Sequence, residues 1–153
     1  MARRRLAAIL LCPLLGASGC ADQQASTPDP GCATAAAIER ALAGAPDAVA
    51  LAGGGRLSGC VAGARSDGEL QNAGLVFTAA ADRLAARAQR GDPLAAVRLG
   101  YLVGATRKGA ATSIGIQAEL SRRIDRAAAY VGEGGAAVRA ALDEGMRAGE
   151  DAG

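Results

Sequence analysis

The stretch "GDPLAAVRLGYLVGATRKGA", residues 91–110, decides the fold of this chain. Gly91 ends the segment before it, Asp92 is a favourable N-cap and Pro93 is suited to the first helical position, so a helix starts here. Its apolar residues fall on two sides of that helix: Leu94, Val97, Tyr101, Leu102 and Ala105 on one, Leu99 and Val103 on the other. A helix that is apolar on two sides packs against neighbours on both. We therefore predict that this helix, through about Lys108, lies at the centre of an all-α bundle.

The segments on either side predict the rest of the bundle. Ser66 and Glu69 form a capping box before a long amphipathic run, and Thr112 or Ser113 starts a further helix. A short apolar stripe, Ile38 and Leu42, follows a candidate N-cap at Thr34. Another follows the glycine-rich break "GEGG" at 132–135 and comprises Val138, Leu142 and Met146. We predict about five helices over residues 32–148, with a frayed tail at 149–153.

The segment from Asp47 to Val61 has the weakest helical signal. Val49 and Leu51 alternate, Gly53–Gly55 form a turn, and Leu57–Val61 has the length of a returning strand. Two interpretations remain open here, a short β-hairpin or an irregular loop. The triple glycine lacks the GxxxxGK[ST] pattern of a phosphate loop, so it is interpreted as a turn.

The central helix also carries the candidate binding residues. Leu99-Gly100-Tyr101 resembles the L-G-x-x-Y run of Sel1-like or TPR-like helical hairpins over about 20 residues, but no second copy occurs at the roughly 34-residue period of such arrays. A solenoid is therefore not predicted. Tyr101 with Arg98 and Arg107 is the candidate binding surface, and the alternative is that Tyr101 is an ordinary core residue.

The spacing of Gly100 and Gly104 within the same helix is GxxxG. Small residues at this spacing let two helix backbones approach closely. We therefore expect a close helix crossing on this side of the central helix.

The N-terminus has the pattern of an export signal. Arg3–Arg5 precede an apolar run, Leu6–Ala17, and a small polar region follows. The run is about a dozen residues long, shorter than the roughly 20 that span a bilayer, and Pro13 interrupts it. We predict that residues 1–19 are a signal peptide and that residues 20–31, with two prolines and no apolar periodicity, form a tether.

The end of that signal, "GASGC" at Gly16–Cys20, resembles the lipobox of bacterial lipoproteins. Ser18, Gly19 and Cys20 fit the pattern, whereas Ala17 departs from it because Leu is commonest there. The resemblance implies a diacylglyceryl group on Cys20 and a lipid-anchored protein of the cell envelope. The same residues also fit a plain secretory site, Ala17-Ser18-Gly19, which would release a soluble product.

The cysteine count suits export. Cys12 would leave with the signal and Cys20 would carry lipid, so Cys32 and Cys60 remain as an even pair in an oxidising compartment. We predict a disulfide between them, the alternative being two buried free cysteines. With no His and no CxxC in the chain, no metal site is predicted.

Charge and composition exclude several function classes. Three of the 17 basic residues and none of the 15 acidic ones lie in residues 1–19, so the remainder has 14 basic and 15 acidic residues and a net charge of −1. Nucleic-acid binding needs a clustered basic excess and is not predicted. A hydrolase triad lacks its His, and Lys108, the only lysine, follows no SxxK motif.

The carboxylates at Asp82, Asp125, Asp143 and Glu144 lie on polar helix faces beside arginines and are interpreted as solvated ion pairs. We therefore predict neither catalysis nor a cofactor. The resulting hypothesis is a non-catalytic envelope lipoprotein, membrane-anchored through its lipid, whose helical domain binds a protein or another envelope component. The alternative is a secreted or periplasmic domain that binds a small ligand between its helices. An apolar pocket with a buried Arg would favour the alternative.

Overall fold

The computed structural model describes residues 29–113, 115–131 and 133–153. Within them are six α-helices and no β-strand, which confirms the all-α prediction. The helices are α1 Ala35–Ala41, α2 Leu57–Gly63, α3 Asp67–Gln89, α4 Pro93–Ala110, α5 Ile116–Ala129 and α6 Ala136–Ala152. Short 3₁₀ turns, Pro30–Cys32 and Leu42–Gly44, lie on either side of α1.

Helix α4 occupies the centre of the bundle, as its two apolar sides predict. It contacts α2, α3, α5 and α6. Its start is the predicted one, because the Asp92 carboxylate accepts the Ala95 amide at 3.1 Å and Pro93 follows at the first helical position. The capping box of α3 is also formed: the Glu69 amide donates to the Ser66 hydroxyl, and the Ser66 amide donates back to the Glu69 carboxylate.

Helix α2 takes the place of the β-hairpin that the sequence left open. Leu57 and Val61 lie one helical turn apart and are both fully buried, so a short helix fills the space beside α4. Upstream, the Leu51 amide donates to the Gly55 carbonyl at 3.3 Å and closes a turn. Gly54 has a φ of 80° in that turn, which favours glycine. The expected turn is present, whereas neither the hairpin nor an irregular loop is formed at 57–61.

Helices α4 and α6 run parallel and touch through their backbones. Gly145 faces the Val97 carbonyl, and one turn later Gly149 faces the Tyr101 carbonyl. On the other side of the contact, Gly100 and Gly104 face the backbone of α6 at Leu142 and Met146. The GxxxG spacing of α4 is therefore matched by a second one in α6.

The chain continues as helix into residues 149–153, where we expected a frayed tail. Helix α6 ends at Ala152, and the Ser58 hydroxyl of α2 donates to the buried Gly153 carbonyl at 2.7 Å. Lys108 of α4 donates from Nζ to the Asp151 carbonyl at 2.6 Å. Partners from two other helices thus satisfy carbonyls at the end of α6, and these contacts order the tail.

The predicted disulfide joins Cys32 to Cys60, with 5.9 Å between their Cα atoms. It links the first 3₁₀ turn to α2, across 28 residues of sequence.

The predicted signal, Cys20 and most of the predicted tether lie outside the described residues. Among the helices that are described, none has both the length and the apolar character of a membrane span.

Candidate functional site

The three candidate binding residues of α4 do not form one surface. Tyr101 is 2% exposed and belongs to the core. Burial raises the pKa of its hydroxyl, and the nearby Arg56 guanidinium opposes that rise. Arg98 has a buried Nε without a hydrogen-bond partner among the described residues. Tyr101 is therefore not available to a partner in this arrangement.

Arg107 is engaged within the domain. Its guanidinium lies 2.9 Å from the Asp125 carboxylate of α5 and 3.1 Å from the Glu150 carboxylate of α6. Partial burial lowers the pKa of Arg107, but the hydrogen bonds and charges of Glu150 and Asp125 outweigh it, so the pKa is raised overall. This side chain joins three helices, which accounts for it without a ligand.

A surface groove runs between α3 and α5, and we call it the α3–α5 groove. Its volume is about 590 Å³. Leu75 on the α3 wall is 73% exposed and Ile116 on the α5 wall is 53% exposed. Gln117, near the start of α5, donates to the Ala64 carbonyl just before α3 at 3.2 Å. The two walls therefore begin at the same end of the groove and run in the same direction.

Charged residues lie along the rim of this groove. On α5, Glu119 accepts hydrogen bonds from Arg122 at 2.8 Å, Arg123 at 3.0 Å and Arg126 at 3.4 Å. The hydrogen bonds from Arg123 and then Arg122 lower the pKa of this carboxyl group. On α3, Asp82 is exposed and forms no ion pair with any described residue. Of these α5 residues, Glu119 and Arg123 line the groove, so that wall has one charge of each sign, whereas the α3 wall has the Asp82 carboxylate, which pairs with no described residue.

A second groove lies beside the disulfide, between the 51–55 turn, α2 and the start of α3. This disulfide groove has a volume of about 640 Å³, and Cys32, Cys60 and Leu51 contribute to its walls. Arg56 lies on its rim and forms no ion pair with the described part of the chain.

The two carboxylates at the disulfide groove accept hydrogen bonds from backbone amides. Asp29 accepts the amides of Gly31 at 2.7 Å and of Gly53 and Gly55 at 3.1 Å each. Glu69 accepts two amides at its helix start. These hydrogen bonds lower the pKa of each carboxyl group. The largest effect comes from the Gly31 amide at Asp29 and from the Ser66 amide at Glu69. Arg56 is thus the one charged group at this groove whose charge is not met by a described partner.

Sequence reasoning missed Leu75, although a signal was present. Leu75 lies midway between Ala73 and Phe77, two residues from each, and is therefore on the side of α3 opposite their buried stripe. A large apolar residue off the stripe of an amphipathic helix indicates a second contact surface. Ile116 is the first residue of α5 and stays half exposed.

The described residues hold no cluster of three or more His, Cys, Asp or Glu side chains that could bind a metal ion. Comparison of the chain with protein-family models, curated proteins and solved structures finds no match.

Proposed function

We propose that this chain is a lipid-anchored protein of the bacterial cell envelope whose helical domain binds a protein partner at the α3–α5 groove. The observation that carries the proposal is the exposure of Leu75 and Ile116 on opposite walls of one groove. Contiguous exposed apolar surface with a polar rim is typical of protein interaction sites. The role proposed is binding and not catalysis, in a chain without His.

The proposed location has two supports of different kinds. The sequence "GASGC" at Gly16–Cys20 resembles a lipobox, and the Cys32–Cys60 disulfide is typical of an oxidising compartment outside the cytoplasm. Attachment at Cys20 would hold the domain at a membrane surface through the segment that follows.

The anchor is tested by mass. Full-length protein expressed in a bacterial host is fractionated, and the N-terminal peptide is weighed. We expect a diacylglyceryl adduct on Cys20 in the membrane fraction. A Cys20→Ser variant should lose the adduct. An unmodified N-terminus in the soluble fraction of the wild type would overturn the anchor and leave a secreted protein.

The binding surface is tested by crosslinking in living cells. A photoreactive residue replaces Leu75 in one strain and Leu94 in another, because Leu94 is similarly exposed, at 60%, but does not line the groove. We expect a specific covalent product from position 75 and none from position 94. Absence of any product at position 75 would contradict the proposal.

The disulfide groove supports a second candidate function, binding of a small apolar anion. Its volume lies within the roughly 300–1,000 Å³ of ligand pockets and its walls are largely apolar. Arg56 offers a guanidinium that forms no ion pair with any described residue. The buried arginine expected for a ligand-binding domain is not at this groove, since Arg56 is exposed, so protein binding remains the leading proposal.

Anilinonaphthalene sulfonate, a fluorescent apolar anion, is a suitable probe for this second candidate. We expect saturable binding to the folded chain that Arg56→Gln weakens and that Arg147→Gln, a change of an exposed arginine on α6, leaves intact. Equal binding by both variants would exclude a role for Arg56.

A further inference from the structure

The two cysteines of the disulfide differ in exposure. Cys32 is 9% exposed and belongs to the core, whereas Cys60 is partly exposed and its Sγ lies 3.9 Å from the carbonyl of the exposed Arg56. Both cysteines line the disulfide groove, whose volume of about 640 Å³ is that of a small-molecule pocket. A reagent that enters this groove therefore reaches Cys60 more readily than Cys32.

Glycines flank Cys60 where α2 faces the groove. Gly59 precedes it, Gly63 follows it by nearly one helical turn, and both line the groove. A Cβ atom at either position would meet no atom within 4 Å, so packing within the described chain does not require glycine there. Each glycine nevertheless costs the helix roughly 1 kcal/mol relative to alanine. Together they leave open space beside Cys60.

We infer that the disulfide groove is a site of thiol–disulfide exchange, at which a low-molecular-weight thiol reacts with Cys60 and Cys32 is the leaving sulfur. Exposed disulfides are the ones that exchange readily, because the attacking thiolate must reach one of the two sulfur atoms. The reaction does not require a partner at the α3–α5 groove, so it is independent of the proposed function.

The reaction is a single displacement at sulfur. The thiolate attacks Sγ of Cys60 and forms a new S–S bond, and the bond to Sγ of Cys32 breaks. Cys32 leaves as a thiolate and takes up the proton that the incoming thiol released. The incoming sulfur is oxidised and the Cys32 sulfur is reduced, so the exchange needs no further oxidant or reductant.

The turn that carries Cys32 has non-covalent contacts besides the disulfide. The Cys32 amide donates to the Asp29 carbonyl at 2.8 Å, and the Asp29 carboxylate accepts the amides of Gly53 and Gly55 at 3.1 Å each. These hydrogen bonds do not depend on the S–S bond. They keep Cys32 near Cys60 after the exchange, so its thiolate can attack the mixed disulfide and restore the original bond.

The position of the adduct tests the inference on the wild type. Full-length chain expressed in a bacterial host is incubated with glutathione in buffer without denaturant, and iodoacetamide then alkylates the thiol that is released. Peptide masses locate both groups. We expect glutathione on Cys60 and the alkyl group on Cys32. Glutathione on Cys32, equal amounts on both cysteines, or no adduct on either would overturn the inference.

The rate of exchange separates a reaction of the folded domain from one that follows global unfolding. If the thiol enters the groove of the folded chain, urea below the unfolding transition should leave the rate nearly unchanged. A rate that rises in parallel with the unfolded fraction would show that the disulfide reacts only in the unfolded chain, and the inference would fail.

Gly63→Leu tests the route to Cys60. The side chain of a helical residue lies over the preceding turn, so leucine at position 63 covers Cys60. We expect the rate of exchange with glutathione to fall by about tenfold or more, because access limits the attack. A wild-type rate in this variant would rule out the groove as the route.

Gly74→Leu is the matched control. A Cβ atom at position 74 also meets no atom within 4 Å, but Gly74 lies in α3 and lines the other groove. This variant should exchange at the wild-type rate, and slowing equal to that of Gly63→Leu would contradict a local effect at Cys60. Urea denaturation establishes that each variant is folded, and the position of the adduct in the wild type tests the inference without either variant.

Discussion

At the scale of single residues, four glycines determine how closely α4 and α6 approach. A Cβ atom on Gly100, Gly104, Gly145 or Gly149 would collide with a backbone carbonyl of the facing helix. Glycine costs a helix roughly 1 kcal/mol relative to alanine, so four of them weaken the isolated helices. The close packing of the two helix backbones offsets that cost. It is possible because a glycine has no Cβ atom to collide with the facing carbonyl.

Replacing Gly145 by alanine should therefore destabilise the domain. Its Cβ would meet the Val97 carbonyl, and backbone cannot yield as a flexible side chain does. We expect a loss of about 1–3 kcal/mol in the free energy of unfolding, as for other overpacked cores, measured by urea denaturation.

Gly74→Ala is the matched control for that substitution. Gly74 is also helical, in α3, but a Cβ there meets no atom within 4 Å. Alanine should stabilise this position by up to about 1 kcal/mol. Equal effects at positions 74 and 145 would show that helix propensity, not the close crossing, governs both.

Asp29 makes stability depend on pH. Three backbone amides bind its carboxylate and lower its pKa, so the unfolded chain binds more protons than the folded chain at this site. The stabilisation is complete above the ordinary aspartate pKa of about 4 and is lost as the pH falls through the lower value of the folded state. Asp29→Asn should lower stability at neutral pH and flatten the decline below about pH 4, in urea denaturation followed across pH. Parallel pH profiles for the two proteins would contradict this assignment.

At the scale of helices, Arg107 connects α4 to both α5 and α6. Its side chain is 43% exposed, and exposed ion pairs contribute about 1 kcal/mol or less. We expect Arg107→Gln to cost no more than this, and the cost to shrink in concentrated salt, which screens surface charges. Thermal unfolding at low and high salt measures both effects. Arg147→Gln, which removes an exposed arginine of α6, is the control, and a salt-independent loss at position 107 would point to packing instead.

The helices that the sequence predicted well are those with local start signals. Asp92 with Pro93, and Ser66 with Glu69, satisfy backbone donors within their own helices, so their effect can be read from adjacent residues. Helix α2 has no side-chain cap, and it forms because Leu57 and Val61 are buried against distant parts of the chain. Such tertiary burial overrides weak local preference, which is why 57–61 could not be assigned beforehand.

The candidate site was less predictable than the fold, for a related reason. Arg107 and Tyr101 are residue types common at binding sites, which is why the sequence suggested them. In the folded chain, Arg107 forms ion pairs with Asp125 and Glu150. Tyr101 is buried in the core. Which residues stay exposed depends on how the helices pack. The sequence shows that Leu75 lies away from the buried face of α3. The groove is formed by α3 and α5 together, so it can be identified only in the folded chain.

At the scale of the whole molecule, the core is built from small side chains. Alanines such as Ala80, Ala81, Ala88, Ala95, Ala96 and Ala105 are fully buried, and Phe77 and Tyr101 are the only aromatic residues among the buried side chains described. Each buried alanine removes little apolar area from water, at about 25 cal/mol per Å². Globular domains are marginally stable, so we expect the covalent link to contribute a large share of the free energy of unfolding.

The disulfide is the contact whose loss should affect the whole domain most. Cys32 and Cys60 close a loop across 28 residues, and on the chain-entropy model such a loop contributes about 3–4 kcal/mol by restricting the unfolded state. We expect the double variant Cys32→Ala, Cys60→Ala to lose about that much in urea denaturation, and reduced wild type to behave like it. Agreement between the two samples separates the link itself from the packing of the replaced side chains, because only the variant changes that packing.

Hydrogen exchange at α1 is a second measurement of the effect of the disulfide. This helix lies within the closed loop, and Ile38 and the adjoining Leu42 are fully buried. If the link acts only through the unfolded state, protection should fall throughout the core. Loss of protection at α1 alone would instead show that the disulfide secures one helix and leaves the rest of the bundle independent of it.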